Sequence, residues 1–313
     1  MLTQRWIWEF DVPRERLWTY LADTDWVNEH AGLPRIAVEF EPLPEGGTRK
    51  YGSFRQGPFL VRWEERPTIW QVPEFFTVER IYSHGPLRRF FNTTSFERLA
   101  DDRTRVVVDL RLEAASPLIE PLLPMLAAHG KRGADRAFTS GASLARADGA
   151  PRAQASTSES VFTPLRDAGI DSRIVTTIAA FVEGAEDRDV QRMRPYELAD
   201  RWRLPRREVL RAFLTATRVG LLNLRWSVLC PGCRGPSPGA QSLSDVAPDY
   251  HCPSCNLAFG PAFDRSVEVT FDARPLGRGG VEGVFCLASP QRSAHVHAQC
   301  APAAGETTLL DLE

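Results

Sequence analysis

Four cysteines have the spacing of a metal site. Cys230 and Cys233 form one Cys-x-x-Cys pair and Cys252 and Cys255 another, with eighteen residues between the pairs, in CPGCRGPSPGAQSLSDVAPDYHCPSC. Two residues between cysteines let one tight turn offer two thiolates without strain. Pro231-Gly232 and Pro253-Ser254 suit such turns. GPSPG and DVAPD in the intervening stretch bring the second pair back to the first. The pattern predicts a four-cysteine zinc ribbon holding a structural Zn²⁺ in a tetrahedron of sulfur. Four thiolates leave no position for water, so this metal is expected to staple a small fold rather than to catalyse. The bland alternative is four free thiols. A redox or iron–sulfur role is disfavoured, because one tetrahedral site consumes every clustered thiol and leaves no resolving pair. His251 adjoins Cys252 and is expected to point away. Cys286 and Cys300 are spaced unlike ligands and read as small buried residues.

A second set of residues is a candidate binding site. In FFTVERIYSH one strand parity carries Phe76, Val78, Arg80, Tyr82 and His84; in FLVRWEE, Trp63 and Glu65 share a face. If these faces turn inward, Trp63, Glu65, Arg80, Tyr82 and His84 surround a pocket for a hydrophobic or lipid-like molecule. The opposite parity leaves them in water. Most of the aromatic residues nearby are needed simply to fill a core. No Ser/His/Asp or Cys/His constellation and no glycine-rich phosphate loop is visible. His30 and His129 are isolated and read as surface or core histidines.

The elements that must position these groups follow from periodicity. QRWIWEFDV alternates like a strand, and after Pro13 the residues Leu17, Trp18 and Leu21 share a helical face. Six strand-like runs follow: RIAVEFEP, RKYGSF, PFLVRWEE, FFTVERIYS, LRRFFNTTSFERL and TRVVVDLRLEA, with ADDRT as a hairpin turn. In the last run Val106, Val108, Leu110 and Leu112 face one way and Arg105, Asp109, Arg111 and Glu113 the other. One face is therefore buried and one wet. SPLIEPLLPMLAAHGKRGADRAFTSGASLARA then predicts a long helix, its regular part confined by Pro121 and Pro124 to the residues after them. Its Leu122, Leu123, Leu126 and Ala127 could lie along the sheet. The expected organisation is a sheet-and-long-helix domain over 1–147, a linker over 148–162 and a winged-helix-like module over 163–228. A zinc ribbon over 229–262 and a β-rich segment over 263–313 complete it. The α module rests on DSRIVTTIAAFVEG, PYELADRW and RREVLRAFLTATRVG, followed by the strand-like GLLNLRWSVL; the tail strands are SVEVTFDA, GVFCLAS and AHVHAQC. The fold class is α+β.

With 38 basic and 40 acidic residues the net charge is −2, so nothing global points to nucleic acid or membrane. No apolar run approaches the roughly 18–20 residues of a membrane span, and the start, MLTQRWIWEFDVP, lacks the pattern of a signal peptide. The cytoplasm is the expected compartment, where thiols stay reduced and favour metal over disulfides. Eight arginines lie between Arg188 and Arg211, and Arg207, Arg211 and Arg218 share the face of a helix that a DNA-binding module would insert in the major groove. Interleaved Asp187, Asp189, Glu197, Asp200 and Glu208 dilute the field. A protein–protein or intramolecular role is favoured over DNA.

Residues 1–147 resemble the START-like, polyketide-cyclase-like helix-grip superfamily, through FDVPRERLWTYLADTDWVNEHAGLP and RWEERPTIWQVP…ERIYSHGPLRRF. Residues 163–313 resemble a bacterial domain of unknown function that usually precedes a class III adenylate/guanylate cyclase catalytic domain. RPYELADRWRLPRREVLRAFLTATRVGLLNLRWSVLCPGC, HCPSC, SVEVTF and HVHAQ carry that resemblance. Together they imply a regulatory region in which a ligand-sensing helix-grip domain and a zinc-bearing module act on a cyclase. The metal-binding aspartate pair of a class III catalytic domain is not found before TTLLDLE, so the expectation is a regulatory fragment of a longer protein or a regulator acting in trans. The alternatives are an aromatase/cyclase-like enzyme or lipid-binding protein, and a winged-helix and zinc-ribbon transcription regulator.

Overall fold

The computed structural model describes residues 1–44, 47–147, 161–186, 189–236, 240–278, 285–287, 289–293, 296–302 and 305–307. The expected linker therefore lies almost entirely outside the described residues. The chain divides into two compact units: Met1–Pro151 with Pro253–Asn256 and Gly283–Glu313, and Arg152–Cys252 with Leu257–Glu282.

The first unit is a mixed α+β helix-grip fold. Strand β1 (Leu2–Phe10) leads into α1 (Arg14–Leu21) and α2 (Thr24–His30). Then come β2 (Ala37–Pro42), β3 (Thr48–Gln56), β4 (Phe59–Glu65), the two-residue β5 (Trp70–Gln71), β6 (Phe75–His84), β7 (Leu87–Ala100) and β8 (Arg103–Ala114). They form one antiparallel sheet in the order β1-β8-β7-β6-β4-β3-β2. Helix α3 (Leu123–Ala147) closes the unit. The β8 alternation sets the inner face as the sequence requires: Val106, Val108, Leu110 and Leu112 are buried. The bond from Arg5 Nε to Asp109 Oδ1, 2.7 Å, lies on the wet side. Pro124 sits in the first turn of α3, where its missing N–H costs nothing, and a 3₁₀ turn over Glu120–Leu122 precedes it. Of the four apolar residues assigned to the sheet from sequence, Leu123 and Ala127 are buried, but Leu122 belongs to that turn and is exposed.

Helix α3 packs on α1 and α2 through small side chains. Ala137, Gly141, Ala142 and Ala145 recur at the helical spacing and are buried. A Cβ at Gly141 would meet Leu21 Cδ2 at 2.7 Å, and one at Gly133 would meet the Ala31 carbonyl oxygen at 3.0 Å. Another close approach backs the candidate pocket. Gly52 on β3 pairs with Trp63 on β4, and a Cβ there would lie 2.3 Å from Trp63 Cζ2. The indole covers the glycine as its own side chain. Gly52→Ala is therefore expected to cost about 1–3 kcal/mol by overpacking, measurable as a lowered urea midpoint together with an altered Trp63 fluorescence.

The second unit contains α4 (Thr163–Asp167), α5 (Ser172–Gly184), α6 (Pro195–Trp202) and α7 (Arg206–Arg218) around a core that includes Leu165, Ile174, Ile178, Val209 and Phe213. Asp171 caps α5 by accepting from the backbone of Arg173 at 2.8 Å. Arg203, in the left-handed region at φ 54°, ends α6. Strand β9 (Asn223–Val228) pairs with β12 (Val267–Asp272), placing Phe271 against Phe213 at 5.2 Å. The short β10 (Tyr250–Cys252) and β11 (Leu257–Phe259) form a hairpin, and a one-turn helix, α8 (Phe263–Ser266), leads into β12.

The tail differs from the separate group of strands expected of it. SVEVTFDA does form a strand, but it completes the sheet with β9. In GVFCLAS the described residues Phe285–Leu287 and Ser289 are buried irregular backbone. Their amides are engaged by a side chain rather than by a ladder, since Asp25 Oδ1 accepts from both Phe285 N and Cys286 N. Of AHVHAQC, Ala298–Gln299 form a short strand, β13, against β5 in the large sheet. Among the described residues no helix is long and apolar enough to cross a membrane.

Candidate functional site

A cavity of about 820 Å³ lies between the concave face of the sheet and α3. It is of ligand size and lined mainly by apolar side chains. Inward positions on successive strands build it: Trp6 on β1, Val108, Leu110 and Leu112 on β8, Phe90 on β7, and Phe76 and Val78 on β6. The long helix contributes Leu126, Ala127, Ala134 and Phe138.

Of the five residues expected at the pocket from sequence, Trp63, Arg80 and Tyr82 line it. Glu65 is buried beside them. Its carboxylate accepts from Arg80 Nε at 3.0 Å and from Trp63 Nε1 at 2.7 Å. The Arg80 guanidinium lies over Trp63 at 4.9 Å and over Phe90 at 5.8 Å. Burial opposes its charge most strongly, but the Glu65 carboxylate together with Cys286 and Tyr82 outweighs burial and raises its proton affinity above the ordinary arginine range. Burial likewise pushes the Tyr82 phenol up, against the attraction of Arg80. The phenol is thus a neutral hydrogen-bond donor at physiological pH.

His84 lies elsewhere. It is exposed, and its Nδ1 is 3.1 Å from Ser83 Oγ. The cause is a bulge: Trp63 pairs with Tyr82, yet the next pair is Arg62 with His84. The extra residue, Ser83, resets the alternation and turns His84 to the face of Arg62. Simple parity could not reveal it.

Several wall residues were missed from sequence. Asn92 lines the cavity, and its Oδ1 is buried without a hydrogen-bond partner. The parity Phe90, Asn92, Thr94, Phe96 within FFNTTSF was the available signal. Thr24, His129, Phe285 and Cys286 also border the cavity. Phe285 and Cys286 lie so far along the chain that no local pattern connects them with β6.

The four clustered cysteines come together as expected. The Sγ atoms of Cys230, Cys233, Cys252 and Cys255 all lie within 4.8 Å of one another, and none of the four is in a disulfide. Cys233 and Cys252 are 3.7 Å apart, against an edge of about 3.8 Å for a tetrahedron with Zn–S bonds of about 2.3 Å. The two turns share a shape: the residue after each second cysteine, Arg234 at φ 58° and Asn256 at φ 51°, adopts the left-handed region. Gly235 N points at Cys233 Sγ at 3.4 Å, and a Cβ on Gly235 would stand 3.2 Å from that sulfur. Burial raises the Cys230 thiol, but the backbone N–H groups of Cys233 and Gly232, with the Cys252 and Cys233 side chains, together outweigh it and hold the thiol below its ordinary range. Donors turned toward sulfur fit thiolate ligands, and the donor set suits a closed tetrahedral zinc site. His251 is exposed and lies outside this group, while Cys286 is buried and Cys300 half-buried.

On α7, Arg211 donates to the Gly169 carbonyl at 2.8 Å and pairs with Glu208 at 3.4 Å. Arg206 forms a two-pronged pair with Asp200. Part of the arginine array is therefore committed within the second unit.

The fold and the cavity define the class: an α+β protein whose antiparallel sheet and long helix enclose a cavity, with four clustered cysteines as a candidate metal site. Residues 155–279 match the model of a family described as a family of unknown function, DUF5939. No curated protein matches the sequence. Solved structures to which the chain is similar include the Zhui aromatase/cyclase from Streptomyces sp. R1128, at 16% identity and a TM-score of 0.34, covering 49% of this chain and 96% of that one. A conserved protein from Geobacillus kaustophilus shares 13% identity at a TM-score of 0.36, covering 46% and 95%. TTHA0849 from Thermus thermophilus shares 19% identity at a TM-score of 0.32, covering 48% and 100%.

Proposed function

We propose that the helix-grip unit binds a hydrophobic small molecule and serves as the sensor of a regulatory region for a class III adenylate/guanylate cyclase catalytic domain, in cis or in trans. In this reading a structural Zn²⁺ sits in the Cys230, Cys233, Cys252, Cys255 cage, and the protein works in the reducing cytoplasm. The observation that carries the binding function is the 820 Å³ cavity, mostly apolar with a polar pole at Arg80 and Tyr82. Apolar walls supply affinity by burial, and the few polar groups fix orientation. Support for the cyclase connection is the sequence resemblance of residues 163–313, within which RPYELADRWRLPRREV and the paired cysteines are the most specific parts.

A second reading, an aromatase/cyclase-like enzyme, draws on Arg80 and Tyr82 sharing one wall. It loses His84 as an acid or base, since that ring faces outward.

Native mass spectrometry of the protein purified from its own host is expected to show one apolar molecule per chain, and adding that molecule back is expected to raise the melting temperature. Ala134→Trp, which fills the cavity from α3, should weaken binding at least tenfold, roughly the effect of losing one well-packed contact. Trp63→Ala should abolish the ligand-induced shift in a chain that still folds. A chain that neither retains nor responds to apolar molecules overturns the binding function. Chemical conversion of the retained molecule would favour the enzyme.

A further inference from the structure

We propose that the segment holding Phe285 and Cys286 is a detachable wall of the ligand cavity, whose docking on α2 and the occupancy of the cavity stabilise each other. The inference rests on the ligand-binding reading above. Both residues line the cavity, yet in sequence they follow the stretch that ends at residue 279 and stand far beyond α3. The cavity is therefore closed by residues from outside the contiguous 1–147 segment.

Polar groups hold this segment. Asp25 Oδ1 accepts from Phe285 N at 2.7 Å and from Cys286 N at 2.8 Å. Asn28 Nδ2 donates to the Phe285 carbonyl at 2.9 Å. Further along, Trp70 Nε1 donates to the Val296 carbonyl at 3.1 Å, Val72 N to the His297 carbonyl at 2.8 Å, and Gln299 Nε2 to the Thr68 carbonyl at 2.7 Å. Folding exchanges each of these bonds for one to water, so each contributes little net stability, while undocking would also expose the buried Phe285, Cys286 and Leu287. A single carboxylate orients the two residues that border the cavity.

The inner surface of the same segment meets the polar pole. Cys286 Sγ lies 3.2 Å from Thr24 Oγ1 and 3.5 Å from Arg80 Nη2, and Arg80 is the guanidinium that Glu65 anchors. A molecule filling the cavity packs against Phe285 and the thiol from within. It then binds the docked form better than the undocked form, and by linkage the docked segment tightens the molecule by the same factor.

The test uses the full chain and the neutral dye Nile red, with hydrogen–deuterium exchange followed in peptides covering Phe285–Leu287 and Ala298–Gln299. Saturating dye is expected to slow exchange there at least fivefold, and Asp25→Ala is expected to weaken dye binding roughly tenfold, the loss of charge-assisted hydrogen bonds. Asp25 does not line the cavity, so a loss of affinity reports on docking. Should Asp25→Ala fail to fold, Gln299→Ala removes a more distant attachment and should weaken binding roughly threefold. Linkage requires both effects. Dye that binds saturably while either exchange or the variant's affinity stays unchanged overturns the coupling and leaves the binding function standing. A folded chain that takes up no dye overturns both.

Discussion

Replacing Cys230 with serine is expected to cost on the order of 3 kcal/mol, about a quarter of the roughly 10–16 kcal/mol with which a structural zinc holds a small domain folded. Regular structure in the region is slight among the described residues. Strands β10 and β11 have three residues each, and the Tyr250 and Phe259 rings stack at 5.8 Å. Apolar burial on that scale does not offset the ordering of the loop between the two cysteine pairs. Limited proteolysis should therefore cut the stretch between β9 and β12 in the Cys230→Ser protein and in the chelated wild type, while α5–α7 stay protected. Elemental analysis should find one zinc per wild-type chain. A chain without zinc, or one whose cleavage pattern ignores a chelator, would falsify the cage as a staple.

Glu65→Ala should destabilise the first unit by about 3–5 kcal/mol, the usual consequence of stripping one partner from a buried ion pair. The Glu65 side chain is 1% exposed and that of Arg80 13%. Without the carboxylate the guanidinium keeps its charge, with aromatic faces and a thiol for company, and the Trp63 indole N–H loses its acceptor as well. Glu65→Gln should cost less, because an amide oxygen still accepts one of the bonds. Glu65→Leu combined with Arg80→Met should recover most of the loss, since a well-packed apolar pair avoids the desolvation of both charges. Urea unfolding of the four proteins measures this. A Glu65→Ala loss below about 1 kcal/mol would place the pair with solvent-screened surface bridges.

Local patterns carried much of the architecture. The β8 alternation, the prolines before α3 and the helical spacing of Ile174, Ile178 and Phe181 each depend on residues a few positions apart. The paired cysteines come together for the same kind of reason, because the two-residue spacing itself makes a tight turn. The pocket was readable only in part. Trp63, Arg80 and Tyr82 obey strand parity, but His84 does not, because one inserted residue at Ser83 reverses the face and nothing in the composition of FFTVERIYSH marks the bulge. One of the three strands assigned to the tail failed differently. GVFCLAS has the composition of a strand, and propensity was overridden by a tertiary partner, Asp25, which claims its amides. Phe285 and Cys286 entered the cavity through the same long-range contact.

The small-residue face of α3 makes one side of the molecule resistant to change and the other permissive. A Cβ at Gly133 presses on the Ala31 carbonyl and one at Gly141 displaces the Leu21 side chain, so selectivity for a new guest has little room to arise there. Val78, Asn92 and Leu110 project from pleated strands whose backbones stay put when a side chain is exchanged. A library restricted to those sheet positions should yield altered guests with intact folding, whereas one aimed at the glycines should yield mostly insoluble chains.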